Sequence, residues 1–92
     1  MKWTVIDTLV CPATGIMFTS IVSVKMLKLV IWYKGSVILR PGATVEPFRD
    51  SLAVDGKYVQ LTIYNITPFN RQVWEMMRGK MSSSLKSGHN PK

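Results

Sequence analysis

The sequence predicts an all-β chain of short antiparallel strands, and three observations carry that prediction. Apolar and polar residues alternate in short runs, turn residues (Pro, Gly, Asp, Asn) punctuate the runs about every ten residues, and helical periodicity is hard to find. Residues 3–10 open the chain as a β-rich run that Pro12 and Gly15 end. From 16 to 24, Phe18, Ser20 and Val22 share one strand face, and from 27 to 33 Val30 and Trp32 occupy the matching face. Lys25 and Lys28 mark the turn between them. Gly35 interrupts the next run, residues 37–39 resume it, and Arg40-Pro41-Gly42 turns the chain again. Asp55-Gly56 is a strong hairpin signal between residues 50–54 and 58–64. In the second of those runs Val59, Leu61 and Ile63 alternate with Gln60, Thr62 and Tyr64, so one face goes to the core. Asn65, Pro68 and Asn70 form a loop, residues 72–77 read as a strand or one helical turn, and the Ser/Lys-rich stretch past Gly79 reads as a frayed tail.

Composition bounds what such a chain can do. Its 92 residues, 47% hydrophobic and 18% charged, suffice for one modest core in one domain and argue against intrinsic disorder. One Cys excludes an internal disulfide, and one His excludes a histidine-rich metal site. The net charge of +7 arises from 12 Lys+Arg against 5 Asp+Glu spread over both ends of the chain, which reads as a solvated surface rather than a polyanion footprint. Residues 8–24 carry no charge, yet they include Pro12, Gly15 and several Ser and Thr and fall short of the roughly 20 apolar residues of a membrane span. A strand-rich soluble segment is therefore expected there, and an unpaired Cys suits a reducing cytosol.

No catalytic constellation is visible. A nucleophilic triad needs a His beside a Ser or Cys, and the one His, His89, lies in the tail. Cys11 adjoins Pro12 with no basic neighbour in sequence. Asp7, Glu46, Asp50, Asp55 and Glu75 show no spacing of a carboxylate pair or metal cage, and Gly35 and Gly42 are isolated rather than part of a phosphate loop. The expectation is a non-enzymatic protein with no cofactor, no metal and no small-molecule substrate. Asn65-Ile66-Thr67 matches the glycosylation sequon, with Pro68 directly after it. Alternation sends Trp32 inward and Tyr33 outward, which favours a core role for Trp32 over base stacking.

The order of residues narrows the fold further. Gly15-Ile16-Met17-Phe18-Thr19-Ser20, then Val30-Ile31-Trp32-Tyr33-Lys34-Gly35, then Leu61-Thr62-Ile63-Tyr64-Asn65-Ile66-Thr67 resembles the immunoglobulin-like I-set domain of giant muscle proteins. The resemblance implies an immunoglobulin-like β-sandwich of two antiparallel sheets. It implies a lead-in strand at 1–12, the domain at 13–79 and a flexible tail at 80–92, with the final strand weakly coded. Its core would comprise Phe18, Ser20, Val22, Val30, Trp32, Leu61, Ile63, Trp74 and Met76. Ser20 and Met76 would stand where the family has its disulfide, and Trp74 where it has its corner Tyr. The implied function is a structural, protein-interaction module of a sarcomeric or cytoskeletal protein in the cytoplasm. Its partners would be neighbouring immunoglobulin-like domains or a cytoskeletal protein, met through strand edges and loops, with Val73, Met76 and Met77 on an open edge. An extracellular adhesion or receptor fragment and a small basic nucleic-acid-binding protein are the alternative readings; contact with a membrane or nucleic acid is otherwise not expected.

Overall fold

The computed structural model describes residues 2–80 and 82–83. Eight strands and one helix follow in chain order: β1 (Trp3–Val10), β2 (Met17–Ser23), β3 (Lys28–Lys34), β4 (Thr44–Phe48), β5 (Ser51–Val54), β6 (Lys57–Val59), β7 (Thr62–Pro68), α1 (Arg71–Arg78) and β8 (Ser82–Ser83). The chain is thus mostly antiparallel β-structure with one short helix. All strands belong to one sheet in the order β6-β5-β4-β1-β2-β3-β7, with β8 also on β1. The two separate sheets of a sandwich are not what forms. Residues 3–10, read from sequence as a lead-in, are a central strand that pairs with β2, β4 and β8.

Chain connectivity forces this sheet to curl. β6 and β7 lie at opposite ends of the strand order, yet only Gln60 and Leu61 separate them. Six inter-strand steps span about 29 Å in a flat sheet, whereas a link of that length reaches about 10 Å. The first and last strands must therefore approach each other around an interior. Ser51 marks the crossing: its Oγ donates to the Val59 carbonyl at 2.6 Å and accepts the Leu61 N–H at 2.9 Å, so the chain leaves β6 without an unsatisfied amide at Leu61. Leu61 then crosses so close to Gly35 that a Cβ there would lie 2.7 Å from its Cδ2 and would displace the Leu61 tip.

The interior is filled by Val5, Met17, Ile21, Ile31, Tyr33, Leu39, Val45, Leu52 and Leu61. On β1 a bulge between Val5 and Asp7 shifts the alternation by one residue. Val5 and Thr8 consequently both face inward, and Leu9 joins Phe18 and Val30 on the outer side of the sheet, where Trp74 of α1 covers them. The helix that brings Trp74 there begins at Asn70, whose side-chain oxygen accepts the Val73 N–H at 3.0 Å as an N-cap. Arg71, Gln72, Glu75, Met76, Met77 and Arg78 are good helix formers, and the cap decides the ambiguous segment in favour of helix.

This arrangement corrects several sequence expectations. Tyr33 is 0% exposed and Trp32 only half-buried, the reverse of the expected faces. Trp32 instead packs edge-on against Phe18 and donates its indole N–H to Thr67 Oγ1 at 3.1 Å. Met76 is 60% exposed on α1 and occupies no core position. Val73, Met76 and Met77 offer no strand edge, because helical hydrogen bonds already use that backbone. The weakly coded final strand is the two-residue β8, paired with Leu9 and Val10 of β1. Of the expected tail, residues 84–92 with His89 lie outside the described residues.

Residues 35–43 connect β3 to β4 without regular structure, and Leu39 within them is 1% exposed. Its backbone is satisfied by side chains: the Leu39 N–H donates to the Tyr33 hydroxyl at 3.0 Å, and its carbonyl accepts from the Thr8 hydroxyl. Thr8 Oγ1 also lies 2.7 Å from Thr19 Oγ1. Burial pushes the Tyr33 phenol above its ordinary pKa, so it stays protonated. The β1–β2 turn is closed by the Cys11 N–H on the Ile16 carbonyl and the Gly15 N–H on the Cys11 carbonyl. There a hydrogen bond from the Thr14 side chain, with backbone bonds from Thr14 and Ala13, lowers the Cys11 thiol pKa. No helix among the described residues is long and apolar enough to cross a membrane.

Two predictions follow from these contacts. Tyr33→Phe leaves the Leu39 N–H unpaired in the interior and should cost about 1–3 kcal/mol, while Tyr33→Ala should cost about 3–5 kcal/mol, more than Trp32→Ala. Urea unfolding measures all three, and a larger loss for Trp32→Ala would refute the placement of the faces. The rate of Cys11 modification by a disulfide reagent should rise with pH at a midpoint below that of an unperturbed thiol, and Thr14→Val should move it back up.

Candidate functional site

One recess in the surface is built by the curl of the sheet. An apolar cavity of about 180 Å³ is lined by Trp3 of β1, Ile21 of β2, Leu29 and Ile31 of β3, Val45, Glu46 and Pro47 of β4, Leu52 of β5 and Ile66 of β7. β5 and β7 stand five places apart in the strand order, so only the closed-up curvature brings Leu52 and Ile66 to one cavity. The wall has a local cause as well. β4 pairs with β1 through Thr44 and Val45 alone, so Glu46 and Pro47 run on past the end of β1 and flank the recess.

The recess has a framed entrance. Trp3 pairs with Ser23, so the turn that joins β2 to β3 stands beside it. That turn is tied by the Ser23 N–H on the Leu27 carbonyl at 2.9 Å, and by Ser23 Oγ, which accepts the Lys25 and Leu27 N–H groups. Val24, Met26 and Leu27 project from it with 87%, 71% and 54% exposure. Lys25 lies within the turn, whereas Lys28, next to the lining residue Leu29 on β3, points to the opposite face by strand alternation. Lys28 Nζ sits 5.6 Å from the centre of the Phe69 ring, and the Phe69 N–H donates to the Lys28 carbonyl. The start of α1 is thereby tied to β3 on the outer face of the sheet, away from the recess.

The lining is almost wholly apolar. Glu46 is the one ionisable residue of the lining, and among the described residues no three His, Cys, Asp or Glu side chains gather as metal ligands would. Of the residues expected from sequence in the core or at an interaction edge, none lines the cavity: Phe18 and Val30 are buried beneath Trp74 of α1, Ser20 is buried in β2, Leu61 is in the interior, and Val22, Trp32 and Ile63 are half-buried. Val73 and Met76 are exposed on α1 and Met77 is half-buried there. No local sequence signal marked the recess, because its lining is drawn from six strands between Trp3 and Ile66. In the sequon, the Thr67 hydroxyl is engaged by Trp32 and the Asn65 side chain accepts the Ile66 N–H.

Comparison with known proteins identifies the lineage. The model of the IraM/PmrD family matches residues 1–75, which hold all seven long strands and every cavity-lining residue. The anti-adapter protein IraM of Klebsiella pneumoniae (strain 342) is 39% identical over 88 residues, covering 96% of this chain and 75% of that protein. The proteins of the same name from Escherichia coli (strain SE11) and Shigella dysenteriae serotype 1 (strain Sd197) are each 38% identical over 78 residues, covering 85% of this chain and 71% of each relative. These matches overturn the I-set resemblance, and with it the sarcomeric or cytoskeletal role and the adhesion and nucleic-acid alternatives. The short motifs behind that resemblance record alternation and turn chemistry common to many β-proteins. The family match spans strands β1 to β7 instead, and the chain belongs to the IraM/PmrD family.

Proposed function

We propose that this protein is an anti-adapter: it binds an adapter protein and, by occupying it, prevents that adapter from joining its own partners. The observation that carries this reading is the 39% identity to an anti-adapter protein over 96% of the chain. A protein of this kind acts by stoichiometric occlusion and needs no reacting group. An apolar recess beside the exposed apolar residues Val24, Met26 and Leu27 suits such binding, since interfaces have an apolar centre. We place this activity in the cytoplasm, where a lone thiol such as Cys11 stays reduced.

The test uses the purified adapter that the Klebsiella pneumoniae relative opposes. This chain should form a complex with it, visible by gel filtration and calorimetry, and should block its bridging activity with an end point at equimolar protein. A catalyst would inactivate the adapter at far lower ratios. Absence of a complex at concentrations of about 100 μM, some tenfold above the Kd of a weak specific pair, would overturn the reading.

A further inference from the structure

We propose that the segment Asn65-Ile66-Thr67-Pro68 closes the outer edge of β7 against strand addition, so that copies of the chain do not pair through this edge and a partner is met by side chains there. The proposal stands on the geometry of β7 and is independent of the anti-adapter reading.

The edge needs closing because of its length. Among the described residues β7 pairs with β3 alone and ends the strand order, and its seven residues present a long row of backbone groups. β6, at the opposite end, has three residues. Thr62, Tyr64, Asn65, Ile66 and Pro68 are all exposed, so another chain has access to the strand. A long exposed edge is a template for a strand from elsewhere unless something blunts it.

Register tells which backbone groups point outward. The Phe69 N–H donates to the Lys28 carbonyl at 3.1 Å, which marks these two residues as a hydrogen-bonded pair. Counting by two along the register, Val30 with Thr67 and Trp32 with Asn65 are pairs of the same kind. Leu29 with Pro68 and Ile31 with Ile66 are the pairs between them, whose backbone groups turn away from β3. The outward amide positions of this stretch are therefore those of Ile66 and Pro68, and neither offers a donor. Pro68 has no N–H, and the Ile66 N–H is donated to Asn65 Oδ1 at 2.9 Å. A strand laid along the edge would meet carbonyls only, and its own carbonyls would lose water without gaining a partner.

The rest of β7 is blunted in a different way. Between Trp32 and Tyr33 the register shifts and leaves Tyr64 as an extra residue, and a bulge of this kind breaks the even ladder that an added strand requires. Thr67 fixes the strand from the other side, since its Oγ1 accepts the indole N–H of Trp32 at 3.1 Å and so ties β7 to β3. The four residues that contain the sequon thus share one structural task.

The experiment compares the full chain with Asn65→Val, Pro68→Val and the double variant by sedimentation equilibrium and amide exchange. The unchanged chain should show no pairing through β7. The double variant regains both outward donors and should form dimers at concentrations at least about tenfold below any at which the unchanged chain associates, with new amide protection at residues 64–68. At dilutions where every form is a single copy, Asn65→Val should speed exchange of the Ile66 amide about tenfold or more, while Asn65→Asp, which keeps an oxygen at that place, should leave it slow. Thr62→Val adds a β-branched apolar residue to the same exposed strand outside the motif and should cause no association. If the double variant precipitates, the single variants and the Ile66 exchange rate carry the same test. A double variant that remains a single copy, association of the Thr62 variant to the same degree, or Ile66 exchange indifferent to Asn65→Val would each overturn the proposal, as would pairing of the unchanged chain through residues 64–68.

Discussion

Everything in this fold turns on how the backbone of Leu39 is held inside a curled sheet. A non-strand segment that enters an apolar interior brings an amide and a carbonyl with no ladder partner, and each costs free energy unless paired. Tyr33 and Thr8 reach across from two different strands to pair them. Those side chains face inward only because the β1 bulge and the β3 register place them there. The same contacts let Leu39 join Tyr33, Leu61 and Val45 in one core, so polar satisfaction and packing are achieved by one set of residues. The short Gln60-Leu61 link can then draw the last strand round to the first.

Curvature is also what makes the recess. In a flat sheet Leu52 and Ile66 would be separated by five strand spacings, about 24 Å, and no recess would exist. The shell is filled around Leu39, while beyond the point where β4 parts from β1 it opens among Trp3, Leu29 and Ile66. Interior and recess therefore share residues: Ile31 and Val45 belong both to the packed core and to the cavity wall.

The outer face of the sheet has a different logic. Leu9, Phe18 and Val30 need cover, and the Asn70 cap starts a helix that delivers Trp74 to them, with the half-buried Phe69 and Met77 alongside. α1 is eight residues long, too short to persist alone, so its stability comes from this apolar face. The sheet is consequently buried on both sides at β2, which explains why five consecutive residues there are buried, including Thr19 and Ser20. Such a strand loses the clean alternation from which faces are read.

Local chemistry was enough to read much of this chain. Strand content, the Lys25–Lys28 turn and the Asp55-Gly56 hairpin follow from alternation and turn propensity within a few residues; Asp55 and Gly56 indeed take φ of 51° and 84°, as a two-residue hairpin requires. Which face each strand buries was a different matter. The bulge at Ile6 and the double burial of β2 depend on partners far away in sequence, so alternation alone sent Trp32 to the core and Tyr33 to solvent. The cavity was wholly illegible, because its walls come from residues 3 to 66 and meet only when the two-residue link curls the sheet. Sequence by itself determined where strands start and turn, since those preferences act between neighbours. Tertiary structure alone decided the faces and the site, because both are set by the closure of a sheet whose ends are joined through a link too short to let it stay flat.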